Sequence, residues 1–267
     1  MGSLFSLSNV SVVRDGNRIL GPVDLSVDEG ESIAVIGRNG SGKTTLSMLL
    51  RKEISPYYDE LAQSSLTILG KKDWDIFELR KRISSVSTDD ERFFDLGKSI
   101  GEVILTGMFG SDAIYPTHTV TREMAERMSD MMELVGLGLS PKREFGSLSQ
   151  GERRAVIIAR ALMPDPAVLI LDEPTNSLDP VASFSFTRMI GGLISKGISV
   201  IMVTHRLEDI PEGIGRVVAI KDGLIAADGK KEDVLTSERI SEIYGASADV
   251  ASTDGIFSLR VHSTTRV

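Results

Sequence analysis

The sequence lacks cysteine altogether and contains no long apolar run, and aromatic side chains make up only 5% of its 267 residues. Without cysteine, disulfide bonds, thiolate metal ligands and a cysteine nucleophile are all excluded. No stretch approaches the roughly 18 apolar residues that a membrane-spanning helix needs. Residues 1–13 have neither the basic start nor the unbroken apolar core of a signal peptide. We therefore expect a cytoplasmic protein.

Basic residues are fewer than acidic ones. The sequence has 30 Lys and Arg residues and 38 Asp and Glu residues, which gives a net charge of −8. Proteins that bind nucleic acid usually present a basic surface that neutralises phosphates. The composition therefore gives no direct nucleic-acid signal. The length suits one large domain, or one core with an inserted subdomain.

Apolar runs and turn residues predict an α/β core. Strand candidates at residues 7–13 and 23–27 are typical of antiparallel β structure near the N-terminus. Short apolar runs at residues 32–36, 168–171 and 198–203 predict strands buried on both faces, as in a parallel sheet covered by helices.

The segment between residues 89 and 163 is predicted to be mostly helical. Met124, Met128, Met131 and Val135 recur at helical spacing, which indicates either a core-facing stripe or an adaptable partner surface. We expect one domain over residues 1–245, with residues 89–163 inserted as a helical subdomain. Residues 246–267 are rich in Ser, Thr and Asp, so we expect a loosely held tail.

A glycine-rich segment follows the predicted strand at residues 32–36 and precedes a predicted helix, as the phosphate-binding P-loop pattern requires. Its glycines let backbone N–H groups turn towards a phosphate, and the helix start adds partial positive charge. A lysine and a hydroxyl in this pattern contact the terminal phosphates and Mg²⁺, respectively. The predicted nucleotide-binding residues are Gly37, Arg38, Asn39, Gly40, Ser41, Gly42, Lys43, Thr44 and Thr45.

Two acids follow the apolar run at residues 168–171. Asp172 and Glu173 are therefore predicted at the carboxyl edge of the sheet, where open α/β folds bind ligands. Together with a P-loop, Asp172 would hold Mg²⁺ beside Thr44, and Glu173 would orient and polarise the attacking water.

Further motifs resemble those of the ABC ATPase family, in the family's order and over roughly residues 4–235. The run from Leu148 to Glu152 (Leu-Ser-Gln-Gly-Glu) resembles the signature motif. Ser177-Leu178-Asp179 resembles the D-loop, and His205 after a strand resembles the switch histidine. Read without the family, Ser149 and Glu152 form a helix capping box. A capped helix start remains an anion site, so both interpretations can hold.

The resemblance implies a P-loop NTPase fold with a mostly parallel sheet, an N-terminal antiparallel β subdomain and an inserted α-helical subdomain. It also implies that ATP and Mg²⁺ bind at the interface of two copies. One copy would supply the P-loop, Asp172 and Glu173, and His205 would contact either the γ-phosphate or the attacking water. Its partner would supply Ser149 and Gly151, and the resemblance also implies that Gln150 and Asp179 bind the nucleotide.

The sequence departs from the family pattern at two places. Arg14 occupies the position of an aromatic residue that stacks on adenine, and its guanidinium could either stack or simply be solvated. Thr88 stands where the family has a glutamine that touches Mg²⁺. Asp89 or Asp90 could substitute for that glutamine, or they could form a solvated acidic loop.

Two functions are consistent with these motifs. The first is the energising ATPase subunit of an ABC transporter, peripheral on the inner face of the membrane and paired with a separately encoded permease. The second is a soluble ABC ATPase acting on nucleic acid or a protein complex. The single cassette and the lack of a sustained heptad repeat favour the first.

Overall fold

The computed structural model describes residues 2–57 and 63–262. Its chain divides into two compact units. The first unit comprises Met1–Ile76 with Ser199–Val267, and the second comprises Phe77–Ile198. The predicted helical subdomain at residues 89–163 lies within the second unit and remains a prediction as a separate subdomain.

The strands, in chain order, are β1 (Ser3–Arg14), β2 (Asn17–Asp28), β3 (Ile33–Ile36), β4 (Ser65–Ile68), β5 (Ile83–Ser87), β6 (Val168–Asp172), β7 (Val200–Thr204), β8 (Arg216–Lys221), β9 (Leu224–Lys230), β10 (Ala248–Thr253) and β11 (Ile256–Val261). The helices are α1 (Lys43–Leu50), α2 (Ile76–Arg82), α3 (Ile100–Phe109), α4 (Arg122–Leu134), α5 (Gln150–Leu162), α6 (Pro180–Ser195), α7 (Lys231–Val234) and α8 (Ser237–Tyr244). Short 3-10 turns lie at Asp90–Phe93, Phe145–Ser147 and Leu207–Asp209. The part of the chain that the structure describes contains no helix that is long and apolar enough to cross a membrane.

The first unit contains two larger sheets. In one, β1 pairs antiparallel with β2 and with β4. In the other, β3 runs parallel to both β7 and β8, and β9 returns antiparallel to β8. Every residue of β3 and β7 is buried, which explains why both strands are continuous apolar runs. The predicted α/β class and the antiparallel N-terminal β structure are confirmed.

The second unit combines one parallel strand pair with helices. β5 and β6 pair in parallel, and α5 packs against α3, α4 and α6. In α4, Met128 and Met132 are buried, and Val135 directly after the helix is buried as well. Met124 and Met131 are half-buried. This burial favours the core-facing interpretation of the methionine stripe over a partner surface.

The structure also differs from the sequence predictions in two ways. β4 and α2 were not predicted, because their apolar residues are few and are set among polar ones. The predicted loosely held tail is wrong for residues 248–261. There, β10 and β11 form an antiparallel hairpin around a turn at Asp254–Gly255, because Val250, Phe257 and Leu259 give it a partly buried face.

Candidate nucleotide-binding site

The loop between β3 and α1 has a backbone that only glycine adopts readily. Gly37, Gly40 and Gly42 have φ angles of 152°, 80° and 109°. A Cβ on Gly37 would collide with the carbonyl oxygen of Ile220 and lie 2.7 Å from Ser41 Oγ. The glycines of the predicted P-loop are therefore required by this conformation.

The start of α1 carries no side-chain cap. Its N-cap residue is Gly42, and no acidic residue lies in its first turn. The first N–H groups of an α-helix have no partner within the helix, and the helix dipole gives this end partial positive charge. The eight-residue helix α1 therefore offers its start to an anion supplied from outside the helix.

Lys43 and Ser41 are buried in this loop. Lys43 is 5% exposed, and its Nζ donates to the carbonyl oxygens of Gly37 at 2.9 Å and Arg38 at 3.1 Å. Ser41 is 6% exposed, and its Oγ has no hydrogen-bond partner among the described residues. A buried hydroxyl without a partner is costly, so it fits a site completed by a ligand. Thr44 is exposed, and Thr45 is half-buried.

The turn between β8 and β9 braces this loop. Gly223 N donates to Ser41 O at 2.9 Å, and Gly21 N donates to Gly223 O at 2.7 Å. Gly223 has a φ of 78°, and a Cβ there would lie 2.7 Å from Ile19 O. The Asp222-Gly223 pair signals a hairpin in the sequence. Its role in bracing the P-loop was missed because that role depends on hydrogen bonds to Ser41 and Gly21, which are distant from Gly223 in the sequence.

His205 lies beside the start of the loop. In the parallel pair of β3 and β7, Ile36 is the register partner of Thr204. Gly37 and His205 therefore leave adjacent strands at the same edge of the sheet. The first unit thus brings the P-loop and the predicted switch histidine together.

Arg14 ends β1 at an exposed hairpin tip. Its side chain is 84% exposed, and its Nε lies 3.9 Å from Asp15 Oδ2. Such an exposed ion pair contributes little to stability. The side chain is accessible, and its stacking on a base remains a prediction.

In the second unit, the acid pair directly follows a buried strand as predicted. Asp172 ends β6 and is the register partner of Ser87 in β5. Glu173 follows with a φ of 48°, in the left-handed region that non-glycine residues rarely adopt. This backbone strain costs of order 1–3 kcal/mol and is concentrated at functional sites. Both acids are half-buried.

The residues at the expected glutamine position lie beside this acid pair. Thr88 Oγ1 donates to Glu173 O at 3.4 Å, and Asp90 Oδ2 accepts from Ser87 N at 2.7 Å. Asp89 pairs with Arg92 at 3.0 Å on the surface. Asp90 therefore serves the local turn, whereas the Thr88 hydroxyl reaches the backbone of Glu173.

Arg154 of α5 is a further residue that the sequence predictions missed. It is buried; its Nη1 donates to Ser87 O at 2.8 Å, and its Nη2 lies 3.1 Å from Glu91 Oε1. Burial lowers the pKa of Arg154 and raises the pKa of Glu91, with each partner's charge opposing the shift. This pair ties the helix of the signature motif to the turn after β5.

The signature motif forms a complete capping box. Ser149 Oγ accepts from Glu152 N at 3.3 Å, and a Glu152 carboxylate oxygen accepts from Ser149 N at 2.8 Å. Ser149 Oγ also lies 2.9 Å from Glu152 Oε2, and the hydrogen bonds that Ser149 N and Ser149 Oγ donate to this carboxylate lower the pKa of Glu152. Gln150 is exposed and Gly151 is half-buried at the helix start.

Asp179 caps the start of α6. Its Oδ1 accepts from Val181 N at 2.8 Å and from Ala182 N at 2.9 Å, and Pro180 follows at the first helical position. A Cβ on Gly151 would lie 3.5 Å from Ala182 Cβ. The second unit therefore brings the starts of α5 and α6, and with them the signature motif and the D-loop, into contact.

Taken by itself, the first unit defines a class of protein. A strand, a glycine loop, an uncapped helix start and a buried lysine make the phosphate-binding loop of a nucleoside triphosphatase. The family described as ABC transporter matches residues 20–176.

Individual relatives agree with this family match. The uncharacterized ABC transporter ATP-binding protein YlmA of Bacillus subtilis is 32% identical over 247 residues, covering 90% of each chain. The cobalt import ATP-binding protein CbiO of Syntrophus aciditrophicus is 34% identical over 218 residues, covering 82% of this chain and 74% of the relative.

A solved ATP-binding cassette of an ABC transporter, in its ADP conformation, has a similar fold. Its TM-score is 0.79 at 23% identity, covering 91% of this chain and 98% of that one. This likeness confirms the predicted P-loop NTPase fold. With the family match and the sequence relatives, it follows that the chain belongs to the ABC transporter ATP-binding family and is an ATP-hydrolysing subunit of that class.

Proposed function

We propose that two copies of this subunit sandwich two ATP molecules with Mg²⁺ and that hydrolysis energises import through a separately encoded membrane permease. The subunit would then work at the inner face of the membrane. The observation that carries the proposal is the uncapped start of α1 with the buried Lys43 beside it.

Nucleotide binding rests on the P-loop of the first unit. The amides from Gly40 to Thr45 would surround the phosphates, and Lys43 would exchange its two loop carbonyl partners for phosphate oxygens. The buried Ser41 hydroxyl, which has no partner among the described residues, supports a ligand at this loop. Arg14 would contact the adenine from the exposed hairpin tip.

Magnesium would be held by Thr44 and Asp172, with phosphate oxygens and water completing its shell. Mg²⁺ in such sites takes only one or two protein carboxylates, so a dedicated cluster of acids is not required. Within residues 2–57 and 63–262 no group of three His, Asp or Glu side chains converges on one point. The donor set therefore suits a metal ion that is shared with a nucleotide. The positive charge of this metal ion would neutralise the charge that develops on the phosphates.

Glu173 would orient the attacking water and accept its proton, and His205 would contact the γ-phosphate. The strained backbone of Glu173 supports a functional role, because the surrounding structure must maintain a conformation that costs free energy. The register of β3 and β7 supports the role of His205, because it brings this residue to the start of the P-loop.

A second copy would complete each site with its own Ser149, Gln150, Gly151 and Asp179. These residues are exposed or half-buried in the single chain. The contact between the starts of α5 and α6 means that one approaching copy could use both motifs together. An ATP-bound dimer would be favoured because ATP binds the closed state better than the open one.

Transport is supported by family membership and by the import name of the relative CbiO. A structural observation adds to this: in transporters of the resembled family, the loop that corresponds to the turn after β5 often meets the membrane permease. Phe93 and Leu96 in this region are 68% and 53% exposed. Two exposed apolar side chains only three positions apart in the chain fit a partner surface, so we assign this surface to the permease.

The variant Glu173→Gln tests the proposal. It keeps the shape of the side chain but removes the base, so ATP and Mg²⁺ should trap a dimer that turns over at least about a hundredfold more slowly. Gel filtration with ATP and Mg²⁺ measures the dimer. The exposed Glu133→Gln in the same unit is the matched control and should behave as the wild type.

Two further measurements complete the test. Adding Lys43→Ala to Glu173→Gln should restore the monomer, because the dimer needs bound ATP. Affinity purification of Glu173→Gln with ATP from membranes should yield an integral membrane protein. A protein that stays monomeric with ATP and Mg²⁺ contradicts the sandwich, and co-purification of ribosomes or DNA instead contradicts transport.

A further inference from the structure

The loop that carries His205 is fastened by the C-terminal part of the chain. We call residues 205–209 the switch loop, and residues 237–261, which form α8 and the β10–β11 hairpin, the C-terminal clasp. Tyr244, the last residue of α8, donates its phenolic O–H to His205 O at 3.0 Å. The bond reaches the main chain of the residue that we propose to contact the γ-phosphate.

The hairpin of the clasp makes a second attachment to the same loop. Leu259 N in β11 donates to Glu208 Oε1 at 3.1 Å. Glu208 is half-buried, and a hydrogen bond to a carboxylate is stronger than one between neutral groups. The clasp therefore contacts the switch loop at two positions that are three residues apart. It binds the backbone of His205 and the side chain of Glu208.

The clasp is itself built as one piece. Ser241 Oγ of α8 accepts from Ala248 N at 3.0 Å and donates to Ala248 O at 3.1 Å. Ser237 Oγ accepts from Val250 N at 2.9 Å, and Ile240 and Ile243 on the inner face of α8 are buried. With its helix and hairpin tied together, the clasp can hold Tyr244 at a fixed position.

Thr204, which directly precedes the switch loop, also makes hydrogen bonds to it. Thr204 Oγ1 accepts from Arg206 N at 3.1 Å and donates to the buried Asp209 Oδ2 at 3.3 Å. These bonds fix the residues before and after His205. The bond from Tyr244 instead fixes the orientation of the peptide group that follows the His205 Cα, and with it the direction in which the imidazole leaves the backbone.

We infer that Tyr244 is a positioning residue for ATP hydrolysis, acting through the His205 main chain, and that Glu208 supports it by anchoring the hairpin. The inference rests on the proposed role of His205. A misplacement of about 1 Å in a reacting geometry can cost a hundredfold in rate. The tail that was predicted to be loosely held thereby gains a defined role at the ATP site.

The variant Tyr244→Phe removes only the hydroxyl. Because one hydrogen bond is lost, we expect kcat to fall about two- to tenfold while KM for ATP changes less than about twofold. Tyr115→Phe is the matched control, since Tyr115 OH also makes one hydrogen bond, to Asp112 at 2.8 Å in the second unit. It should leave kcat unchanged.

Two substitutions of Glu208 distinguish its hydrogen bond to the hairpin from its packing. Glu208→Gln keeps an oxygen that can accept from Leu259 N and should retain most of the wild-type kcat. Glu208→Ala removes the acceptor and should lower kcat without changing KM. Equal effects of the two substitutions contradict the anchoring role.

A double-mutant cycle with His205→Ala completes the experiment, with rates measured in single turnover at high protein concentration. If Tyr244 acts through the histidine, Tyr244→Phe should slow wild-type hydrolysis but cause no further loss in the His205→Ala background. Equal losses in both backgrounds, or full activity of Tyr244→Phe when His205→Ala is impaired, overturn the inference alone. Full activity of His205→Ala overturns the proposed role of the histidine instead.

Discussion

Two helix starts in this molecule are built in opposite ways, although the proposed function assigns both to phosphate. α1 begins at Gly42 with no side-chain cap and no acid in its first turn. α5 begins at Ser149 with a complete capping box, and the Glu152 carboxylate lies in its first turn. One start leaves its amides to a ligand, and the other satisfies them from its own sequence.

The difference distinguishes two parts of each proposed ATP site. The start of α1 belongs to the subunit that binds the ATP, and the start of α5 would be supplied by the second copy. The first-turn amides of α1 need an anion, and Lys43 lies beside them. The capped start of α5 is stable in the single chain, and its exposed Ser149 can still meet a phosphate. We therefore expect the P-loop to determine the affinity of one subunit for ATP, and the signature motif to determine dimer closure and hydrolysis.

The largest effect should come from Lys43→Ala. Removing the buried cation deletes charged hydrogen bonds to the phosphates, so ATP affinity of the single subunit should fall at least about a hundredfold. Calorimetry measures the loss. Lys52→Ala is the matched control, because Lys52 lies just beyond the same helix and its Nζ bonds the carbonyl of Lys72. Unchanged affinity in Lys43→Ala contradicts the P-loop assignment.

A smaller and different effect is expected for Ser149→Ala. The lost cap should lower the free energy of unfolding by about 1 kcal/mol and slow hydrolysis at least about tenfold, while ATP affinity of the single subunit stays unchanged. Thr121→Ala removes the cap of α4, where Thr121 Oγ1 accepts from Met124 N. It should show the same loss of stability without the loss of hydrolysis. An equal loss of hydrolysis in both variants would mean that Ser149 acts only as a helix cap and would contradict its proposed role in hydrolysis.

The smallest effect should come from Arg14→Ala, which tests the proposed contact between Arg14 and the adenine of the bound ATP. Stacking of one exposed guanidinium is worth about 0.5–1 kcal/mol, so ATP should bind about two- to fivefold more weakly. Affinity for inorganic triphosphate should not change. Arg18→Ala, on the same exposed hairpin, is the control. Equal losses for ATP and triphosphate remove the stacking role.

Long apolar patterns and glycine motifs made most of the fold predictable. β3, β6 and β7 are continuous apolar runs because both faces are buried, and all three were predicted within a residue or two. β4 and α2 were missed because neither has a pattern that stands out from its surroundings. The β10–β11 hairpin was missed because its polar composition hides the few side chains that it buries.

The residues that support the site were less predictable than those proposed to contact ATP. The P-loop was found because its backbone needs glycines at fixed spacings. Gly223, Arg154 and Tyr244 were missed, since each acts through a contact with a residue far away in the chain. A single sequence carries no signal for such contacts.

The sequence by itself determined the class of this protein, because local geometry restricts which residues can form a phosphate loop, a strand ending in two acids and a capped helix start. Only the tertiary structure decided what supports these motifs. Strand register brought His205 to the start of the P-loop, the turn at Gly223 braced that loop, and the C-terminal clasp reached the switch loop. These contacts depend on how distant segments pack, and packing is a property of the folded chain rather than of any local pattern.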